Sequence, residues 1–177
     1  QYSGIPDASL TITRLTWDRA TLTRVVLPPT VRAKNLDLRY SLAGVLSKRL
    51  DRLHITGLHF DGAPTKASGA GGFRIPKIAI PVDRIRLTDA TAVFKSGDGD
   101  AVLKVEGIIT TTPQNTIDVK ATINGAVTTP DIKASFTGDL EALHLSSSDS
   151  LAHLAISKAT LATATREVTL SSLSAQL

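Results

Sequence analysis

Apolar and polar residues alternate along most of this chain, and at intervals the alternation slips by one residue. Residues 34–61, KNLDLRYSLAGVLSKRLDRLHITGLHFD, show both features together. Leu36, Leu38 and Tyr40 alternate with Asp37 and Arg39, the period of a strand wet on one face. Leu53 and Ile55 alternate likewise, Gly57 intervenes, and Leu58 and Phe60 resume on the opposite parity. A straight strand would send those two pairs to opposite faces. The pattern therefore predicts a β-bulge near Gly57 that restores one apolar face and bends the strand. Between the two strands, Ser41 stands where an N-cap belongs, and Leu42, Val45, Leu46 and Leu50 recur at helical spacing. This predicts a short helix near 42–49 whose apolar stripe lies on the sheet, with Lys48 and Arg49 favouring its C-terminus.

The slipped pattern recurs as Leu10, Ile12, Leu15, Trp17; as Val31, Ala33, Leu36, Leu38; and as Ile80, Val82, Ile85, Leu87. It returns as Leu154, Ile156, Ala159, Leu161 and as Val168, Leu170, Leu173, Ala175. Ile117, Val119, Ala121 and Ile123 alternate without a slip, as does the run Ile132, Ala134, Phe136 that Thr129-Pro130-Asp131 opens. Ser96-Gly97-Asp98-Gly99 and Pro113-Gln114-Asn115 supply turns, so sequential strands are expected side by side. The fold class expected is mostly β: long, bent antiparallel strands forming a curved open sheet, a groove or taco-like trough, with one short helix. The competing reading is a series of short strands separated by turns. Residues 62–76, GAPTKASGAGGFRIP, read as a flexible Gly/Ala/Ser-rich loop; no Gly-Lys-Ser/Thr follows the glycines, and the spacing is not that of a dinucleotide loop.

Composition adds to the β reading, since Thr, Val, Ile, Leu, Ser and Ala dominate. The whole chain, 1–177, reads as a single β-rich segment of a larger protein, a processed or excised piece without a starter Met. With no Cys, neither disulfides nor thiolate metal sites are available. The net charge of +4 is uneven: residues 1–60 hold nine Lys or Arg against four Asp, and the remainder holds eleven against twelve acidic residues. Either a solvated strand face or an anionic partner accounts for this. Nucleic acid is disfavoured because aromatics make up 4% of the chain and do not interleave with the basic residues. Chemistry is equally sparse. His54, His59, His144 and His153 include no pair at helical metal spacing, although His59 and Asp61 could share a strand face. No G-x-S-x-G elbow and no evident acid and base pair is present, so no enzyme, no cofactor and no metal is expected.

The run LDLRYSLAGVLSKRLDRLHITGLHF, through Tyr40, Ser41, Leu42, Leu46, Leu53, Ile55, Gly57, Leu58 and Phe60, resembles the strand, short helix and strand that open the groove region of the AsmA-like bacterial envelope bridge family. It looks most like the YdbH branch, with TamB a relative. The resemblance covers about a sixth of the chain. It implies a periplasmic segment of a membrane-anchored bridge whose sheet shields phospholipid acyl chains as they pass between membranes. Inner- or outer-membrane envelope proteins are the implied partners. The wall of such a groove would be Leu10, Ile12, Leu36, Leu38, Ile55, Leu58, Phe60, Ile80, Val82, Ile85, Leu87, Ile117, Val119, Ile123 and Phe136. Each of these is equally a candidate for an ordinary core. The alternative function is a closed β-sandwich envelope or surface interaction domain, adhesin-like, with a solid core and binding loops.

Overall fold

The structure, a computed structural model, describes residues 8–27, 31–62, 81–97, 99–111, 116–145 and 151–176. Among these residues, ten strands form one open sheet whose spatial order is the order of the sequence. They are β1 (Ser9–Leu15), β2 (Arg19–Leu27), β3 (Val31–Arg39), β4 (Leu50–Gly62), β5 (Val82–Ser96), β6 (Gly99–Thr111), β7 (Ile117–Thr128), β8 (Ile132–Leu145), β9 (Leu151–Thr163) and β10 (Glu167–Gln176). Neighbours are antiparallel except β4 and β5, which run parallel. That one pair departs from the all-antiparallel expectation. A parallel pair needs a connection that returns along the strand rather than a tight turn, and the chain between Gly62 and Pro81 is long enough to supply it. The anticipated 62–76 loop lies in that connection: Gly62 closes β4, and 63–76 lie outside the described residues.

The slips in the hydrophobic pattern are bulges. Gly57 sits at φ +63, and the register on either side pairs Ala33 with Leu58 and Asn35 with Thr56, leaving Lys34 and Gly57 as extra residues opposite each other. The same step continues into β2 at Arg24 (φ 54) and into β5 at Asp89 (φ 54). Four adjacent strands thus bulge at one level, forming a crease across the sheet. It stops at β6, where Thr88 and Asp89 lie opposite Glu106 alone. A second, shorter crease joins Ser157 of β9 to Ser172 of β10, which has φ 67. Each extra residue returns the following side chains to the face they would otherwise have left, and each bends its strand. The Ser157, Ser172, Gly57 and Lys34 bulges fall inside the patterns read from the sequence, as does the Ile12/Arg14 register shift of β1. The pattern through Ile80, Val82, Ile85 and Leu87 does not hold. Its register keeps one offset through Leu50↔Val82, Arg52↔Arg84 and Leu53↔Ile85, and neither Asp51 nor Asp83 has a positive φ, so Val82 shares the parity of Arg84 and turns away from Ile85. The bulge of β5 lies further on, at Asp89.

The helix α1 (Leu42–Leu46) is shorter than expected. Ser41 caps it, as its position in the sequence predicts, its Oγ accepting from the Gly44 N–H at 3.1 Å. Lys48 (φ 57) ends it in a Schellman arrangement, with Arg49 N–H donating to Gly44 C=O and Lys48 N–H to Val45 C=O. One turn cannot carry a stripe down to the sheet. Leu42, Val45 and Leu46 are 73%, 53% and 78% exposed, and Leu50 already belongs to β4, so the expectation that the stripe lies on the sheet is corrected. Ser41→Ala is expected to cost about 1 kcal/mol of local helix stability, read as faster amide exchange at Gly44 and Val45.

No second layer packs on the sheet among the described residues. Of these residues, the buried apolar ones are Val25, Ala33, Val82, Ala90 and Ala142, and no polar or charged one is buried. The sheet is held instead by its ladders and by side chains packing sideways against their neighbours on one face.

Candidate apolar face

Strand pairing and the pleat together assign every side chain to one of two faces. The register line from Ile12 passes through Leu22, Leu36, Ile55, Leu87, Gly107, Ala121, Leu140 and Leu154 to Ala175, one residue from each of the ten strands. All are apolar. Parallel lines on either side behave alike: Ala33, Leu58 and Ala90 with Val105, Ile123 and Gly138, and Leu38, Leu53 and Ile85 with Ile109, Val119 and Ala142. Away from strand ends and bulges, this face carries no charged residue among those described. Nine strand spacings of ~4.8 Å give it a width of ~43 Å, and strands of 12–15 residues from β4 to β9 give a comparable length. A patch of that extent is several times the few hundred Å² that a water-facing surface ordinarily tolerates.

The sequence-derived wall residues fall on this face with one exception. Leu36, Leu38, Ile55, Leu58, Phe60, Ile85, Leu87, Ile117, Val119, Ile123 and Phe136 are half-buried there, and Leu10 and Ile12 lie on it at the β1 edge, 54% and 58% exposed. Val82 is the exception: it is buried but on the opposite parity, because β5 has no bulge before Asp89. Ile80 lies outside the described residues. The sequence reading missed β2, with Ala20, Leu22, Val25 and Leu27, and the slip within β5 that carries the face of Ile85 and Leu87 on to Ala90 and Ala92. Both strands carry the same slipped pattern and could have been found by it.

Large rings keep the face even where the backbone has no side chain. Phe136 lies over Gly125, and Phe60 and Phe94 flank Gly62 with ring centroids 5.9 Å apart. A methyl group at Gly125 would stand inside the space of the Phe136 ring, so Gly125→Ala is expected to cost about 1–3 kcal/mol in urea unfolding. Toward β10 the face dips into a hollow of about 300 Å³ lined by Val127, Ala134, Phe136, Ile156, Ala159, Leu161, Val168 and Leu170 with Ser135 and Thr160. At both edges the apolar face stays open: Leu15 is 69% exposed on β1, and Leu170 and Leu173 are 60% and 59% exposed on β10.

The other face is polar, and a minority of its charges form local pairs. A hollow of about 460 Å³ over β5–β9 holds Arg86, Glu106, Lys120, Asp139, Glu141 and His153. There Lys120 Nζ meets Glu141 Oε1 at 2.7 Å, which pushes the lysine pKa above its usual value, and Thr122 donates to Asp139 at 2.8 Å. His59 Nε2 lies 3.0 Å from Asp61 Oδ1, so these two do share a face. Among the described residues, no three His, Cys, Asp or Glu side chains converge as a metal site would require. No described helix is long and apolar enough to cross a membrane.

No family model, curated protein or solved structure matches the chain.

Proposed function

We propose that this sheet is a segment of a lipid-conducting bridge of the bacterial envelope, shielding phospholipid acyl chains from water along its apolar face. One observation carries the reading: the apolar register line runs unbroken from Ile12 to Ala175 across ten strands, with no second layer over it among the described residues. A hydrocarbon cover would supply what a second layer supplies in a sandwich. Each methylene sheltered contributes ~0.8 kcal/mol, so a chain of about sixteen carbons gains roughly 12 kcal/mol against the face. Apolar contact is non-directional, so such a chain can slide from one strand to the next without crossing a large barrier. The work is solvation, and it needs no catalytic group. On this reading the protein is periplasmic, part of a membrane-anchored chain, with envelope membrane proteins as partners. A closed sandwich is the weaker alternative, since the described strands form one open sheet.

Native mass spectrometry of the purified protein, with organic extraction of what accompanies it, tests the proposal. Phospholipid at one or more molecules per chain is the expected result. A lipid-free dimer whose two apolar faces exclude solvent from each other would overturn it.

A further inference from the structure

The polar face has one feature that local pairing does not explain. Across four adjacent strands the register aligns Arg19 with Arg39, Arg39 with Arg52, and Arg52 with Arg84. Arg86 stands two positions beyond Arg84, and these five arginines border a single hollow of about 310 Å³. Its one carboxylate is Asp37, and it is taken: Arg19 Nε donates to Asp37 Oδ1 at 2.9 Å, and Arg19 Nη2 donates to Asp37 Oδ2. Among the described residues, Arg39, Arg52, Arg84 and Arg86 make no ion pair. Five positive charges against one negative leave the hollow at +4.

Like charges directly opposite on neighbouring strands repel, and one exchange of Arg for Thr would have relieved them. The guanidinium is the group suited to grip phosphate, through two parallel N–H donors in a fixed plane. Three strand spacings of ~4.8 Å make the row ~14 Å long, more than a single phosphate can span. Among the described residues, no Phe, Tyr or Trp borders the hollow to stack a base, and its one ring, the His54 imidazole, is held at 2.9 Å by the Thr88 hydroxyl. We infer that this row is a binding site for a ligand that presents more than one phosphate group, supplied either by phosphorylated lipid headgroups or by a soluble oligophosphate. The site is independent of the acyl-chain reading, because it lies on the opposite face and an inorganic oligophosphate has no hydrocarbon.

Trp17 provides a built-in reporter that separates the two sources. It is the only tryptophan, it precedes the row by two residues, and it is 83% exposed. The full chain is titrated with sodium tripolyphosphate by calorimetry, then with phosphatidylcholine vesicles, plain or doped with phosphatidic acid, while Trp17 emission is followed. The variants are Arg52→Gln/Arg84→Gln and, as an equal charge change elsewhere on the polar face, Lys133→Gln/Lys158→Gln. All four positions are exposed, so circular dichroism is expected to be unchanged in both. The expected result is saturable tripolyphosphate binding at one per chain, weakened at least tenfold by the arginine pair and less than twofold by the lysine pair. Binding confined to the doped vesicles, with a blue shift of Trp17 and the same variant dependence, would assign the phosphates to headgroups. Absence of saturable binding in both arms, equal losses in the two variants, or orthophosphate binding as tightly as tripolyphosphate would overturn the inference.

Discussion

Phe60→Asp is expected to lower the affinity of this protein for a fluorescent fatty acid about a hundredfold, while Lys104→Asp on the polar face leaves it unchanged. Phe60 is half-buried on the apolar face, beside Val31 on β3 and Ala92 on β5, with its ring against Phe94. A carboxylate there keeps its hydration shell, because stripping it under hydrocarbon costs several kcal/mol. About four methylenes then lose their shelter, roughly 3 kcal/mol or a hundredfold in affinity. Lys104 is exposed and opposes Thr91 and Asn124, so a carboxylate there touches no hydrocarbon. Phe60→Ala removes the ring without adding charge and is expected to lose less than tenfold. Equal binding by Phe60→Asp and the wild type, in a protein whose circular dichroism is intact, would mean that hydrocarbon sits elsewhere.

The second large effect concerns the crease. Gly57→Val is expected to lower stability by about 2–4 kcal/mol in urea unfolding. At φ +63 the backbone is left-handed, which costs an ordinary side chain roughly 1–2 kcal/mol and a β-branched one more. A Cβ at this position would also stand 2.9 Å from the Lys34 Cβ, on the neighbouring bulge of the same crease. The two strands would have to part at the point where both change phase. Gly97, in the turn between β5 and β6, has open space within 4 Å of where a methyl group would stand, and Gly97→Ala is expected to stay within about 0.5 kcal/mol. If the two substitutions cost the same, the crease does not contribute to holding the sheet.

The bulge at Gly57 is legible in the sequence because its cause is local. The parity of Leu53, Ile55, Leu58 and Phe60 conflicts with a straight strand, and only an extra residue reconciles it. The Ser41 cap and the Thr129-Pro130-Asp131 turn are legible for the same reason: donor and acceptor lie within three residues. In β5 the pattern misleads because two frames fit equally well. Val82, Ile85 and Leu87 follow the slipped pattern, and so do Ile85, Leu87, Ala90 and Ala92; pairing with β4 selects the second. The helix shows the opposite limit. Leu42, Val45, Leu46 and Leu50 have helical spacing, but α1 ends at Leu46 and leaves three of them in solvent.

By itself, the sequence determined that the strands are amphipathic, where most of them change phase, and that one side of each would be apolar. These properties follow from the two-residue period of a single strand. Only the tertiary structure decided which strands lie together: that β4 and β5 run parallel, that the bulges at Arg24, Lys34, Gly57 and Asp89 line up into one crease, and that Arg19, Arg39, Arg52 and Arg84 stand in a row. Register between strands is a long-range choice. A shift of one residue turns an entire strand over, and a shift of two would preserve both faces while dispersing the arginines.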